Sequence, residues 1–174
     1  MRSGQQLLLG AKASFIFSSL LLAFALNIFQ SIVFLDNAAW APDWLAVVLG
    51  FWCVHQPRRI GFAWAFALGL LLDVNNGALL GQHALAYSCL AYIANLMHRR
   101  LLWFAISSQA LHVIPLFLFP CLVSSSIRLM LGGDFPGISL IIPPFLQAAL
   151  WPVASVLLLL PQKRAPDTDA HRPI

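Results

Sequence analysis

The sequence predicts an all-α integral membrane protein with six transmembrane helices, short loops and both termini in the cytoplasm. Hydrophobic residues make up 60% of the 174 positions and charged residues only 9%, whereas about 25% are charged in a typical soluble domain. The ten Lys and Arg residues stand singly or in pairs beside apolar runs, which is the pattern of topology signals and not of a nucleic-acid-binding surface. We therefore expect a lipid bilayer, and no nucleic acid, around this chain.

The first two predicted spans lie at residues 13–35 and 42–55. The first is an apolar run in which Asn27 and Gln30 are the only strongly polar residues, and it is long enough to cross a hydrocarbon core of about 30 Å. The second is shorter and follows an acidic loop. It ends at a basic turn, which matches the basic N-terminus only if the chain has crossed the membrane twice.

The next two predicted spans, at residues 60–75 and 82–97, form a hairpin between two arginine pairs. If both pairs are cytoplasmic, an even number of crossings lies between them. The tight turn is predicted at Asn75-Asn76-Gly77, because these residue types tolerate left-handed backbone and cap their own turns. The two pairs are Arg58-Arg59 and Arg99-Arg100.

The last two predicted spans lie at residues 101–126 and 138–160. Pro115 and Pro120 are expected to kink the first of them, since proline removes a backbone donor and clashes with the preceding turn. Further prolines interrupt the second. Residues 1–162 are thus predicted to form a single membrane domain, followed by a cytoplasmic tail at 163–174.

The distribution of basic residues supports this six-span topology. Nine Lys or Arg residues fall on the predicted cytoplasmic side, and Arg128 alone falls on the opposite side. Such an asymmetry is typical of an inside-positive arrangement. The nine are Arg2, Lys12, Arg58, Arg59, Arg99, Arg100, Lys163, Arg164 and Arg172.

Asp73 is a functional-site candidate, because an acid within an apolar membrane span is costly. It follows Arg59 by 14 residues, or about 21 Å of straight helix, which puts it in the outer third of the bilayer. Gly69, Asp73 and Gly77 are spaced by four residues and share one helix face. We expect this face to contact another helix and not lipid.

Two interpretations of Asp73 stay open at this stage. The carboxylate could hold the hairpin together by bonding Asn75, Asn76, His83 or a hydroxyl, or it could serve a partner-binding or conformational role. Catalysis is disfavoured, because no second intramembrane acid accompanies it. No cofactor or metal site is predicted, since the three cysteines lie singly in different apolar segments.

The hairpin residues carry a resemblance to a known family. The segments are Gly61 with its aromatic span, Gly69-Leu-Leu-Leu-Asp73, Gly77-Ala-Leu-Leu-Gly81-Gln-His83, and Ala91-Tyr92 before the second arginine pair. Their order resembles the bacterial rod shape-determining MreD family. In that family Gly69, Asp73, Gly77, Gly81 and His83 match motif positions that have no assigned chemistry.

The resemblance implies a non-enzymatic component of the cell-elongation complex in the bacterial inner membrane. Its implied partners are a bitopic MreC-type protein, the MreB filament, and the RodA and penicillin-binding synthases that insert lateral-wall peptidoglycan. The implied fold is similar to that of the substrate-binding components of energy-coupling-factor transporters. From the residues alone, a small-solute or vitamin-capture transport subunit is the alternative function, because proline-interrupted helices often line binding sites.

Overall fold

The computed structural model describes residues 11–34, 41–132 and 137–162, and these ranges are entirely helical apart from turns. Arg2, Lys163, Arg164 and most of the acidic loop lie outside the described residues. Two short 3₁₀ helices, Gly137–Leu140 and Leu160–Gln162, flank the last α-helix. The α-helices in the described ranges are α1 (Ala13–Phe34), α2 (Trp44–His55), α3 (Phe62–Asn75), α4 (Gln82–Leu101), α5 (Ile106–His112), α6 (Ile114–Met130) and α7 (Ile142–Leu159).

Helix α4 occupies the centre of the bundle. It packs against α3, α6 and α2, while α1 packs mainly on α2 and α7 packs on α2, α5 and α6. Its central position explains how a helix with several polar residues is accommodated, because those side chains face neighbouring helices. Tyr87 and Ser88 are buried on it.

The core of the bundle is aromatic. Trp52 and Trp151 are fully buried, and Phe51 contacts both rings. Each indole N–H finds an acceptor, as buried tryptophans require: Trp52 donates to the Ser19 hydroxyl at 2.9 Å and Trp151 to the Gln109 side chain at 3.1 Å.

The outside of the bundle is apolar over much of its area, which is the arrangement expected for a protein surrounded by lipid. Trp103, Met130 and Leu21 are among many large side chains left exposed. Three of the described helical segments are long and apolar enough to cross a membrane, namely Ala13–Val33, Ser108–Met130 and Ile142–Gln162. Helices α2 and α3 are apolar but shorter.

Several helix boundaries differ from those expected. Helix α4 continues to Leu101, past the predicted end at residue 97, and the next helix begins at Ile106 and not at 101. The predicted fifth span is divided at Val113 because Pro115 sits in the first turn of α6 and cannot donate to the preceding turn. Pro120, by contrast, lies inside an unbroken helix.

The start of the last span also differs from prediction. Residues 137–140 form a 3₁₀ helix, and α7 begins only at Ile142, with Pro143 in its first turn. Proline is favoured at such a position because the first helical N–H groups have no partner within the helix. Pro152 does not interrupt α7.

The bundle has two distinguishable ends. The hairpin end holds the turn between α3 and α4 together with the start of α2, because Tyr87 near the start of α4 reaches Asp43. The arginine end holds the α2–α3 turn, where the Arg59 guanidinium donates to the Ala11 carbonyl at 2.7 Å, just before α1. Since α3 and α4 form a hairpin, the end of α4 also lies at the arginine end.

Candidate functional site

The candidate site begins at the C-terminal end of α3. Gly77 has a positive φ of 58°, and the Ala78 N–H donates to the Asp73 carbonyl at 3.0 Å. The Gly77 N–H donates to the Val74 carbonyl at 3.4 Å. These two bonds form a Schellman motif, in which a glycine beyond the helix end adopts left-handed backbone and satisfies the last carbonyls.

The turn predicted at Asn75-Asn76-Gly77 overlaps the observed turn, in which only glycines adopt left-handed backbone. Asn75 is still helical and Asn76 has ordinary right-handed backbone, so the strained conformations fall on Gly77 and on Gly81, whose φ is 102°. Glycine adopts positive φ without the steric cost that a side chain brings. The two asparagines are exposed, and their side chains bond to each other at 3.1 Å.

The Asp73 side chain caps the helix that follows. Its Oδ2 accepts from the Gly81 N–H at 2.8 Å and the Ala84 N–H at 3.3 Å, and its Oδ1 accepts from the His83 N–H at 2.9 Å. These donors are the free N–H groups of the first turn of α4, which has no side-chain cap of its own within the described chain. Asp73 therefore performs an N-capping role from a different helix.

His83 completes the environment of this carboxylate. Its Nδ1 lies 2.7 Å from Asp73 Oδ1. An ionised carboxylate only accepts hydrogen bonds, so the proton is on Nδ1 and Nε2 is left facing away from Asp73. With 0% of Asp73 exposed, the acid is enclosed by donors of the same hairpin, and it offers no free base for catalysis.

Gly69 allows α3 and α4 to approach at backbone distance. A Cβ added at this position would lie 2.4 Å from the Ala84 Cα and 2.6 Å from the His83 carbonyl oxygen. Both are backbone atoms and cannot rotate away. The close approach is what brings the Asp73 side chain within reach of the first turn of α4.

A second acid, Asp43, lies near this hairpin, and the sequence alone did not identify it as part of the site. Its Oδ1 caps α2 through the Ala46 N–H at 3.0 Å and accepts from Asn27 of α1 at 2.7 Å, while its Oδ2 accepts from the Tyr87 hydroxyl of α4 at 2.5 Å. The available signal was local: an aspartate directly before an apolar run is a typical N-cap. Its contacts with α1 and α4 could not be predicted from the spacing of residues along the sequence.

Two adjoining cavities open beside these acids. The inner cavity, of about 140 Å³, lies between α2, α4, α6 and α7 and is lined by Asp43, His83, Tyr87, Ser124 and Gln147 among others. The larger vestibule, of about 550 Å³, lies toward the α3–α4 turn and is lined by residues that include Arg128. His83 and Ser124 line both, so the two spaces are neighbours.

The residues predicted as topology signals lie apart from this site. Arg58, Arg59, Arg99 and Arg100 are exposed, and the Arg59 contact with Ala11 belongs to the arginine end. Exposed side chains at a helix end suit contact with lipid headgroups.

Comparison with known proteins links the chain to one family. The family model of the rod shape-determining protein MreD matches residues 11–160. The rod shape-determining protein MreD of Haemophilus influenzae (strain ATCC 51907 / DSM 11121 / KW20 / Rd) is 33% identical over 121 residues, which cover 67% of this chain and 72% of the relative. No solved structure matches the chain.

Proposed function

This chain belongs to the MreD family of rod shape-determining proteins, and from that premise we propose that it scaffolds the cell-elongation complex in the bacterial inner membrane. A rod shape-determining role follows from the family. The proposal adds how the role is performed: the bundle binds partner proteins and helps to hold the lateral-wall peptidoglycan synthases in place, without catalysing a reaction.

One observation carries this proposal, namely that the acid and the first glycine of the family motif are used inside the protein. The Asp73 carboxylate is occupied by the first turn of α4 and by His83, and Gly69 is covered by backbone. These two residues define the shape of a hairpin, and the acid is not free to act as a base on a substrate. Function is then carried by the outer surface that the hairpin supports.

The outer surface of α1 and α3 is suited to binding partner helices. Leu21, Leu22 and Phe29 on α1 and Phe62 and Leu71 on α3 are large exposed apolar side chains. Helices in a bilayer associate through close van der Waals packing, and these side chains can pack against a partner helix as well as against lipid. We propose that an MreC-type bitopic partner binds here, and that the MreB filament, RodA and penicillin-binding synthases associate directly or through it.

The proposal includes a topology of six crossings with both termini in the cytoplasm. It is supported by the nine-to-one distribution of basic residues and by an even number of helices between the two arginine pairs. The likeness in fold to energy-coupling-factor substrate-binding components stays a prediction.

Complementation in a rod-shaped bacterium tests the function. In cells depleted of their own MreD, the full-length chain should restore rod shape and should co-purify with the MreC-type partner. A variant with Leu21→Ser, Leu22→Ser and Phe29→Ser should reach the membrane at normal levels but lose both properties. Restoration of rod shape without any recovery of the partner would rule out the scaffold.

A small-solute capture subunit is the second candidate function. The inner cavity is the observation that favours it, because pockets between bundled helices often hold ligands. Saturable binding of a solute, detected as a ligand-dependent shift in melting temperature, would support this candidate over the scaffold.

A further inference from the structure

The Gln147 side chain is a largely buried amide that faces the inner cavity. Only 6% of the residue is exposed, it lines the cavity, and no hydrogen bond from any described residue reaches its side chain. Its amide atoms are not among the fully enclosed polar atoms without a partner in the described chain, which are the Ser88 and Ser155 hydroxyls, so the amide is open to a group in the cavity. Its position is suited to a polar ligand in the cavity.

Asp43, in the wall of the same cavity, has no counter-ion within the described chain. Its three hydrogen-bond donors, from Asn27, Ala46 and Tyr87, are neutral groups, and no cationic side chain of the described chain forms an ion pair with it. A cationic partner stabilises the charged form of a carboxylate inside a membrane-embedded bundle. A cationic group in this cavity would therefore supply a counter-charge to Asp43.

Tyr87 and His83 present acceptor atoms at the cavity, beside the Ser124 hydroxyl, which can accept or donate. The Tyr87 proton is donated to Asp43, which leaves the phenolic oxygen to accept. The His83 Nδ1 proton is directed at Asp73, which leaves Nε2 as an acceptor in the neutral ring. A group with several N–H donors and a positive charge, such as a primary ammonium, satisfies this arrangement.

The adjoining vestibule carries the opposite charge. Arg128 is the only Lys or Arg among the described residues that line it, and Leu79 and Leu131 line it as well. Arginine is suited to phosphate because its donors match the phosphate oxygens. The two spaces together thus offer a place for a cation, an adjacent place for a phosphate, and apolar side chains beside the phosphate.

We propose that the inner cavity and the vestibule bind the headgroup of a zwitterionic aminophospholipid, with its ammonium at Asp43 and Gln147 and its phosphate at Arg128. The site lies at the hairpin end of a bundle with an apolar exterior, where a lipid headgroup is available without leaving the membrane. The inference rests on membrane insertion and not on the scaffold role, so binding to purified protein and rescue of cell shape succeed or fail separately.

Native mass spectrometry of the full-length protein tests this site. Dioleoyl phosphatidylethanolamine, phosphatidylcholine and phosphatidylglycerol are titrated separately in detergent. Phosphatidylcholine keeps the positive charge and the phosphate but has no N–H donor, and phosphatidylglycerol keeps only the phosphate. We expect phosphatidylethanolamine to be retained about tenfold more tightly than either. This is the difference in affinity expected when one charge-assisted hydrogen bond is lost.

Two variants with matched controls locate the binding. Gln147→Leu and Arg128→Gln should each weaken retention of phosphatidylethanolamine about tenfold. Asn95→Leu and Arg99→Gln, which remove an exposed amide and an exposed guanidinium elsewhere in the chain, should not. The melting temperature without lipid checks folding. Because Arg128 is exposed, its variant still tests the site if Gln147→Leu fails to fold.

Three results would overturn the proposal. They are equal retention of the three lipids, an unchanged retention of phosphatidylethanolamine in Arg128→Gln, and displacement of the lipid by soluble phosphoethanolamine at the same concentration. The last result would reassign the site to a soluble solute.

Discussion

At the scale of single residues, Asp73 does for α4 what an N-cap residue normally does for its own helix. Three backbone N–H groups at the start of α4 donate hydrogen bonds to one carboxylate, which belongs to α3. The side chain thereby couples the end of one helix to the start of the next. A change at this position acts on two helices at once.

Replacement of Asp73 should separate hydrogen bonding from charge. Asp73→Leu leaves three backbone donors and the His83 ring without an acceptor, and we expect the free energy of unfolding to fall by about 3 kcal/mol or more. Asp73→Asn keeps one acceptor oxygen and should lose about half as much. Chemical denaturation in detergent micelles measures both, with Asn95→Leu as the control at an exposed position of α4. A Leu variant as stable as the parent would show that the cap contributes nothing.

Gly69 makes a sharper prediction because the atoms facing it belong to the backbone. Gly69→Ala should lower the free energy of unfolding by about 1–3 kcal/mol through overpacking, since the new methyl would lie 2.4 Å from the Ala84 Cα. Gly50→Ala is the matched control: its nearest neighbour is a Phe117 side-chain atom at 3.5 Å, which is ordinary contact. Thermal unfolding of the two variants should differ clearly, and equal melting temperatures would contradict the role assigned to Gly69.

At the scale of elements, the apolar runs of the sequence predicted where the helices lie better than where they end. The apolar runs that became α1, α2 and α3 are bounded by charges and turn residues that read directly from the chain. The end of α4 could not be predicted in this way. Arg99 and Arg100 suggest a loop, but arginine is a good helix former, and the helix extends to Leu101. Proline in a first turn also shifted the starts of α6 and α7.

Contacts between distant elements account for the part of the site that sequence could not supply. His83, ten residues from Asp73, was among the partners considered for it. Asp43 is different, because Asn27 and Tyr87 lie 16 and 44 residues away along the chain. No spacing rule connects such positions, since only the packing of α1, α2 and α4 brings them together.

The link between α2 and α4 through Tyr87 can be tested by removing one oxygen. Tyr87→Phe should lower the free energy of unfolding by about 1.5–3 kcal/mol, because it deletes a buried hydrogen bond to a carboxylate. Tyr92→Phe removes the same atom from an exposed residue of the same helix and should have almost no effect. Denaturation of the two variants side by side measures the difference. Equal stability of both would mean that Asp43 is held without the Tyr87 hydroxyl.

At the scale of the whole molecule, the two ends of the bundle should face opposite sides of the membrane. Asn76 is exposed in the hairpin turn, and Arg100 is exposed where α4 nears its other end. With Cys53, Cys89 and Cys121 replaced by Ala, Asn76→Cys and Arg100→Cys each provide a single reactive thiol.

A membrane-impermeant maleimide applied to spheroplasts should therefore label Asn76→Cys directly and Arg100→Cys only after permeabilisation. The reason is electrostatic, because arginine-rich ends stay on the cytoplasmic side of the membrane during insertion, and α4 carries one such end and one uncharged end. The cysteine-free protein should show no labelling in either condition. Labelling of Arg100→Cys in intact spheroplasts would place the arginine end outside. It would reverse the proposed topology while leaving the described fold unchanged.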